Sequence, residues 1–163
     1  MMQSNAITVL PMGSEHIKAV AALETVCFAD PWSEASIASE LKNPLSLWLV
    51  ACADGVVAGY VGSQSVLGEA DMMNLAVAPA YRRQGIAKAL LAALESELSQ
   101  RDVHSITLEV RQSNEAARTL YQQNGYEQVG LRPGYYRNPK EDALILRKQW
   151  GNEREDFSNR ILL

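Results

Sequence analysis

The chain has 163 residues, 47% of them apolar and 21% charged. That length supports one domain with a real core and leaves no room for a second, and the composition is that of a folded protein. A net charge of −4 excludes a nucleic-acid binder working through a broad basic surface, although a local acidic patch could still attract a basic peptide.

The N-terminal stretch Met1 to Pro11 has no basic run followed by an apolar core, so no signal peptide is expected. No apolar run reaches the ~20 residues that cross a bilayer, so no membrane association is expected. Ala6 to Leu10 reads as a short extended start ended by Pro11. Ser14 can cap a helix with Ile17, Val20, Leu23 and Val26 or Cys27 on its apolar face. Asp30-Pro31-Trp32 breaks that helix, and Ser33 caps a second, short one through about Leu41. Asn43-Pro44 ends it. Leu47 to Cys52 is an apolar strand, Asp54-Gly55 a hairpin turn, and Val56 to Val66 the returning strand. Gly68-Glu69 turns the chain again into a strand from Met72 to Val77, which Pro79 stops.

From Gly85 the period becomes helical, with Ala87, Leu90, Leu91, Leu94 and Leu98 on one face as far as about Arg101. Ser105 to Val110 is a strand, Asn114 to Asn124 a helix stopped by Gly125, and Tyr126 to Leu131 another strand. A loop rich in Pro, Gly and Tyr leads to a last strand, Ala143 to Arg147. Strand, helix and strand from Met72 to Val110 imply a parallel crossover. The fold class is α/β with a mixed sheet, as one domain over 1–150. The stretch 151–163 reads as a polar, mobile tail whose Ile161-Leu162-Leu163 could dock on a partner. Cys27 and Cys52, the two cysteines of the chain, form neither a disulfide framework nor a metal-ligand spacing, and no metal site is expected. They read as buried, reduced thiols of a cytoplasmic protein.

The segment Arg82-Arg83-Gln84-Gly85-Ile86-Ala87 joins a strand to the long helix. A helix start offers unpaired N–H groups and about half a positive charge, which suits phosphate. Gly85 lets backbone approach a ligand, and Arg82 and Arg83 add charge. The segment is neither a Walker loop nor the three-glycine dinucleotide fingerprint. The plain alternative is an arginine-rich turn entering a surface helix.

Arg82-x-x-Gly85-x-Ala87 resembles the acetyl-CoA pyrophosphate motif of the GNAT superfamily of N-acetyltransferases. The order of elements from Ala6 to Lys148 is similar to that fold, which implies a mostly antiparallel sheet of about seven strands with a parallel β-α-β crossover at the acetyl-CoA site. Cys27 to Ser33, Asn74 to Val77, Leu108 to Asn114, Leu120 to Tyr126, and Tyr135-Tyr136 followed by Glu141-Asp142-Ala143 look like the RimI-type branch. The resemblance implies acetyl-CoA as co-substrate, bound by Leu75, Ala76, Val77, Arg82, Arg83, Gln84, Gly85, Ile86, Ala87, Lys88 and Asn114. It also implies an acceptor that is the N-terminal segment of a protein, typically the N-terminal alanine of a small-subunit ribosomal protein. No direct nucleic-acid partner and a monomer or weak dimer are expected.

Ile106, Leu108 and Val110 share one strand face; Thr107, Glu109 and Arg111 share the other. Glu109 could simply sit on a solvated face, but a strand placed second in a parallel crossover is expected to be covered on both sides. The resemblance implies a general base. Tyr121 on its own reads as a packing tyrosine; the resemblance implies the general acid. Asn114 can cap its helix whether or not it also touches cofactor. Trp32 is assigned to anchoring two helices or lining a peptide groove, and Tyr135 and Tyr136, in a loop, to peptide-backbone contact. His16 and His104 read as helix-start and turn residues. Two rivals stay open: an acetyltransferase for lysine side chains or small amines, and a non-catalytic acyl-CoA-binding module.

Overall fold

The structure, a computed structural model, describes residues 6–151. The readings of 152–163 as a tail and of Ile161-Leu162-Leu163 as a docking segment lie outside the described residues. The elements are β1 (Ile7–Pro11), α1 (Ile17–Cys27), α2 (Glu34–Glu40), β2 (Ser46–Ala53), β3 (Val56–Val66), β4 (Glu69–Val77), α3 (Ile86–Gln100), β5 (Ser105–Arg111), α4 (Glu115–Gln123), β6 (Glu127–Arg137) and β7 (Lys140–Gln149). They build a seven-stranded mixed sheet in the order β1-β2-β3-β4-β5-β7-β6, the α/β arrangement expected.

Local signals act much as the sequence suggests. Ser33 Oγ accepts the Ser36 N–H at 3.0 Å at the start of α2, and Asn114 Oδ1 accepts the Ala117 N–H at 3.1 Å at the start of α4. Asp54 and Gly55 both take positive φ, 53° and 76°, as a two-residue hairpin turn requires. Three expectations are corrected. Ser14 opens a short 3₁₀ turn rather than capping α1, and the Gly13 N–H there donates to His16 Nδ1 at 2.9 Å. The turn before β4 is Leu67-Gly68, so β4 starts at Glu69, before Met72. Tyr135 and Tyr136 lie within β6, not in a loop. The Pro and Gly residues that suggested a loop instead occupy an irregular stretch of the β6–β7 ladder, between the Arg132–Ala143 and Tyr136–Glu141 pairs. Pairing across the bulge absorbs Pro133 and Gly134, which would break a regular strand.

Helices cover the sheet on both faces, and the two faces carry separate cores. On one, Leu90, Leu94 and Leu98 of α3 and Tyr121 of α4 pack with Ile106, Leu108 and Val110 of β5. On the other, Ile17, Val20 and Leu23 of α1 and Ile37 of α2 pack with Trp48, Val50, Tyr60 and Ala76 of the first half of the sheet. Thr107, Glu109 and Arg111 of β5 remain half-buried, since α1 and α2 lie over β2–β4. The expectation that β5 is covered on both faces therefore fails: the second helical layer stops short of it, and Glu109 stands at that uncovered boundary.

Candidate active site

The parallel pairing of β4 with β5 is short. It joins Glu69 to Ser105, Ala70 to Ile106 and Asp71 to Thr107, and from Met72 and Leu108 onward the two strands part. Backbone polar groups along Met72–Val77 on that side thus have no strand partner from β5, an arrangement that backbone satisfies through other ligands.

The predicted phosphate cradle lies just beyond β4. Gly85 caps α3 at φ +80°, and Arg83 before it also lies in the left-handed region at φ +62°. The first backbone bond of the helix runs from the Ala89 N–H to the Gly85 carbonyl at 3.0 Å, so the N–H groups of Ile86, Ala87 and Lys88 have no helical acceptor. A Cβ built on Gly85 meets nothing within 4 Å, so the space in front of this turn is open. Arg82, Arg83, Gln84 and Lys88 are exposed, Ala87 is half-buried, and Ile86 is buried beneath them. Arg82 folds back on the strand end: Nε donates to the Val77 carbonyl at 3.2 Å and Nη2 to Cys27 Sγ at 3.6 Å. Open space, free N–H groups and fixed cations together suit a polyphosphate. Leu75, Ala76 and Val77 form the strand that leads into it.

The two residues expected to manage protons lie on opposite faces of the sheet, on elements that border the fork between β4 and β5. Tyr121, on the α3 and α4 face, is buried, and its hydroxyl donates to the sulfur of Met72, the first β4 residue past the last pair with β5, at 3.4 Å. Burial, with a smaller contribution from the Tyr136 phenol, pushes its pKa well above the ordinary tyrosine range, so it keeps its proton. Glu109, on the α1 and α2 face, is 27% exposed and lies 3.6 Å from Arg132 Nε of β6. Tyr136 neighbours both. Its pKa is pushed up to about 12, first by burial, then by Tyr135 and Glu109, against the lowering effect of Arg111. The Arg111 guanidinium lies 4.2 Å from the Tyr136 ring centroid and donates to the Pro139 carbonyl at 2.9 Å and the Asn138 carbonyl at 3.1 Å. Glu141 completes this support: it accepts the Ser113 N–H at 2.6 Å, and the Ser113 side chain first, then this backbone bond and Arg111, hold its carboxyl below the usual range against the opposing effect of desolvation.

Trp32 is half-buried, and its ring meets that of Trp48 edge-on with centroids 5.4 Å apart. This contact packs the loop between α1 and α2 against strand β2. Tyr135 is exposed and pairs edge-on with Tyr136 at 5.0 Å. Cys27 and Cys52 are free and half-exposed, not buried as expected, because each sits near the margin of the α1 and α2 core rather than inside it. Among the described residues, no cluster of three His, Cys, Asp or Glu side chains could hold a metal, and no helix is long and apolar enough to cross a membrane.

Sequence reasoning missed Arg132, which has no distinguishing local pattern, and Glu24. Glu24 is fully buried in α1 and accepts hydrogen bonds from the Tyr60 hydroxyl, from Asn74 Nδ2 at 2.7 Å and from the Trp32 N–H at 3.2 Å. A signal was present: Val20, Leu23, Glu24 and Cys27 follow helical spacing, so a carboxylate occupies the middle of an apolar stripe.

Comparison with known proteins fits this geometry. Residues 17–126 match the acetyltransferase (GNAT) family. The chain is 37% identical over 141 residues to the ribosomal protein bS18-alanine N-acetyltransferase of Escherichia coli K12, an alignment covering 85% of this chain and 95% of that one. The crystal structure of the ribosomal-protein-S18-alanine N-acetyltransferase from Escherichia coli superposes with a TM-score of 0.82 at 35% identity, covering 91% of this chain and 98% of the other. The PaiA N-acetyltransferase of Thermoplasma acidophilum, solved in complex with coenzyme A, shares the fold at 18% identity, with a TM-score of 0.73 and coverage of 89% and 99%. This chain belongs to the GNAT family of acetyltransferases.

Proposed function

We propose that the protein transfers the acetyl group of acetyl-CoA to the N-terminal α-amine of a protein, specifically the N-terminal alanine of a small-subunit ribosomal protein, by direct attack. The observation that carries this reading is the fork itself, where Glu109 approaches from one sheet face and Tyr121 from the other. The acceptor's identity is supported by the alanine N-acetyltransferase that is 37% identical to this chain over most of both lengths.

In this reading Arg82, Arg83, Gln84 and Lys88, with the free N–H groups of Ile86 and Ala87 beside Gly85, hold the pyrophosphate. Leu75, Ala76 and Val77 offer backbone to the pantetheine arm, and Asn114 contacts the cofactor while capping α4. Acetyl-CoA supplies an activated thioester. Positioning of donor and acceptor is the largest contribution, roughly 7–11 kcal/mol for well-oriented partners. An α-amine has a pKa of about 7.7–8.0, so its neutral form costs only about 1 kcal/mol at pH 7, against more than about 4 kcal/mol for a lysine amine near 10.4. A half-exposed carboxylate such as Glu109 suffices to take the amine proton, directly or through water. Tyr121, kept neutral by burial, returns a proton to the leaving thiolate. Trp32, Tyr135 and Tyr136 contact the acceptor segment. No covalent acyl-enzyme is needed, and among the described residues neither Cys27 nor Cys52 has a histidine or carboxylate hydrogen-bonded to it to take its proton; the Arg82 guanidinium beside Cys27 is a cation, not a general base. A ribosomal substrate makes this a cytoplasmic enzyme, which half-exposed reduced thiols suit.

Mass spectrometry after incubation with acetyl-CoA tests the reading. Peptides beginning with alanine should gain one acetyl group at the α-amine, while internal-lysine peptides and polyamines stay unmodified. Preferential lysine acetylation, or acetyl-CoA binding with no turnover of any amine, would overturn it.

A further inference from the structure

We propose that Glu24 is a positioning residue for the acceptor, a buried carboxylate that sets the Asp30-Pro31-Trp32 loop against strand β4. The proposal rests on the reading of that loop as part of the acceptor side.

Four observations converge on it. Glu24 is fully buried, yet among the described residues it lies within ion-pair distance of no cation; the donors that surround it are neutral. Those donors come from three separate segments: Trp32 in the loop between α1 and α2, Tyr60 in β3 and Asn74 in β4. A buried carboxylate is costly unless its lone pairs are satisfied, so such a cluster is over-determined in geometry. Second, the aromatic stack closes the circuit. Trp32 packs on Trp48, and Trp48 stacks on Tyr60 with centroids 5.9 Å apart and planes 7° from parallel. The loop is thus held twice, by backbone to Glu24 and by ring to Trp48, which stacks on the same Tyr60 that donates to Glu24.

Third, β4 is built to meet this carboxylate. Gly62 pairs with Asn74 and Ser63 with Met72, which leaves Met73 as an extra residue on β4. Ala70 and Met72 belong to the α3 core, so strict alternation would aim Asn74 the same way. The bulge reverses the alternation, and Met73 packs in the α1 core while Asn74 reaches Glu24. Bulges re-aim side chains in this manner. Fourth, Asn74 is one residue before Leu75–Val77, and Cys27, the last residue of α1, lies 4.0 Å from the Val77 carbonyl. Glu24 therefore couples the loop to the stretch of β4 that borders the fork, from the same sheet face as Glu109.

The isosteric change Glu24→Gln isolates the loop contact. A glutamine oxygen can still accept from Tyr60 and Asn74, but its NH₂ group would face the Trp32 N–H, donor against donor. The expected result is an acceptor-peptide KM raised about tenfold, from the loss of one buried hydrogen bond, with kcat and acetyl-CoA Kd within about twofold of wild type. Tyr60→Phe keeps the ring stack and removes one donor, so it should shift acceptor KM in the same direction by less. Glu40→Gln is the control. Glu40 is also buried, accepting from Ser46 Oγ at 2.6 Å and Gln64 Nε2 at 2.7 Å, but among the described residues its hydrogen bonds reach neither the Asp30-Pro31-Trp32 loop nor β4. It should lower the melting temperature without moving acceptor KM.

The proposal is overturned if folded Glu24→Gln shows wild-type acceptor KM, or if Glu40→Gln raises it equally; should Glu24→Gln not fold, an unchanged acceptor KM in Tyr60→Phe overturns it instead. The assay uses whichever amine the wild-type enzyme turns over, so loss of the alanine preference sinks the acceptor reading alone. Hydrogen exchange at the Trp32 amide gives a readout independent of activity: protection should vanish in Glu24→Gln while β3 and β4 stay protected, and persistence of that protection counts against the proposal.

Discussion

The donor and acceptor sides of the fork are built from different materials. The proposed donor side is nearly contiguous in sequence, from Leu75 to Lys88, and offers mainly backbone: the open edge of β4 and the first N–H groups of α3. Its polar side chains, Arg82, Arg83, Gln84 and Lys88, are exposed. The acceptor side draws Glu24, Trp32, Glu109, Arg132 and Tyr136 from α1, the following loop, β5 and β6, and holds them by side-chain contacts. Backbone groups survive side-chain change, whereas a side-chain network fails with any of its members. The lesson is that substitutions on the two sides should differ in kind as well as in size.

The largest effect is expected on the acceptor side. Glu109→Gln should lower kcat/KM by about 10²–10⁴-fold at pH 7. Because the base matters less once the amine is already neutral, activity should partly recover as pH rises through about 7.7–8.0 and beyond. A pH-rate profile checks this, and a loss independent of pH would reassign Glu109 to a structural role. Next comes Tyr121→Phe, with kcat reduced by roughly 10²-fold. Its acetyl-CoA affinity, read by calorimetry, should hardly change; a defect confined to affinity would move Tyr121 to the binding machinery. Since burial raises the Tyr121 pKa, its proton stays in place throughout the working range, and the wild-type profile should show no alkaline limb that Tyr121→Phe removes.

On the donor side the backbone should be the sensitive part. Gly85→Val meets no protein atom but forces a β-branched residue to φ +80°. That conformation costs about 1–2 kcal/mol, so acetyl-CoA Kd should rise about tenfold while the acceptor KM holds. Gly85→Asn, better tolerated in the left-handed region, should lose less, and an equal loss in both would point to collision with the ligand rather than backbone strain. The smallest effect is expected for Gln84→Ala. Gln84 donates only a long 3.5 Å bond to the Ala80 carbonyl, and its removal should alter acetyl-CoA affinity by less than about threefold. A tenfold loss there would erase the contrast between a backbone-built donor side and a side-chain-built acceptor side.

The same contrast explains what was readable before the structure. Strand and helix periods placed β2, β3, α3 and β5 within a few residues, and the Ser33 and Asn114 caps fell where their residue types suggest. The cradle was legible because its information is local, a glycine and arginines between a strand and a helix. Glu109 and Tyr121 were singled out by resemblance, and their own periodicity gave only a strand face and a helix face. Glu24 went unnoticed although it interrupts an apolar stripe, since nothing in α1 says that Tyr60 and Asn74 lie opposite it. β6 was cut short because Pro133 and Gly134 read as loop residues until β7 pairs with both flanks of the bulge.

By itself, the order of the residues determined the elements, their periods, the helix caps and the open glycine turn, because each depends on neighbours a few positions apart. The tertiary structure alone decided where β4 leaves β5, that the second helical layer ends before Glu109, and that a bulge at Met73 turns Asn74 toward Glu24. Those features depend on strand register and layer coverage, which are set by contacts between residues dozens of positions apart. No local pattern encodes them, and they are what set Glu109 and Tyr121, the proposed base and acid, on opposite sheet faces beside the fork.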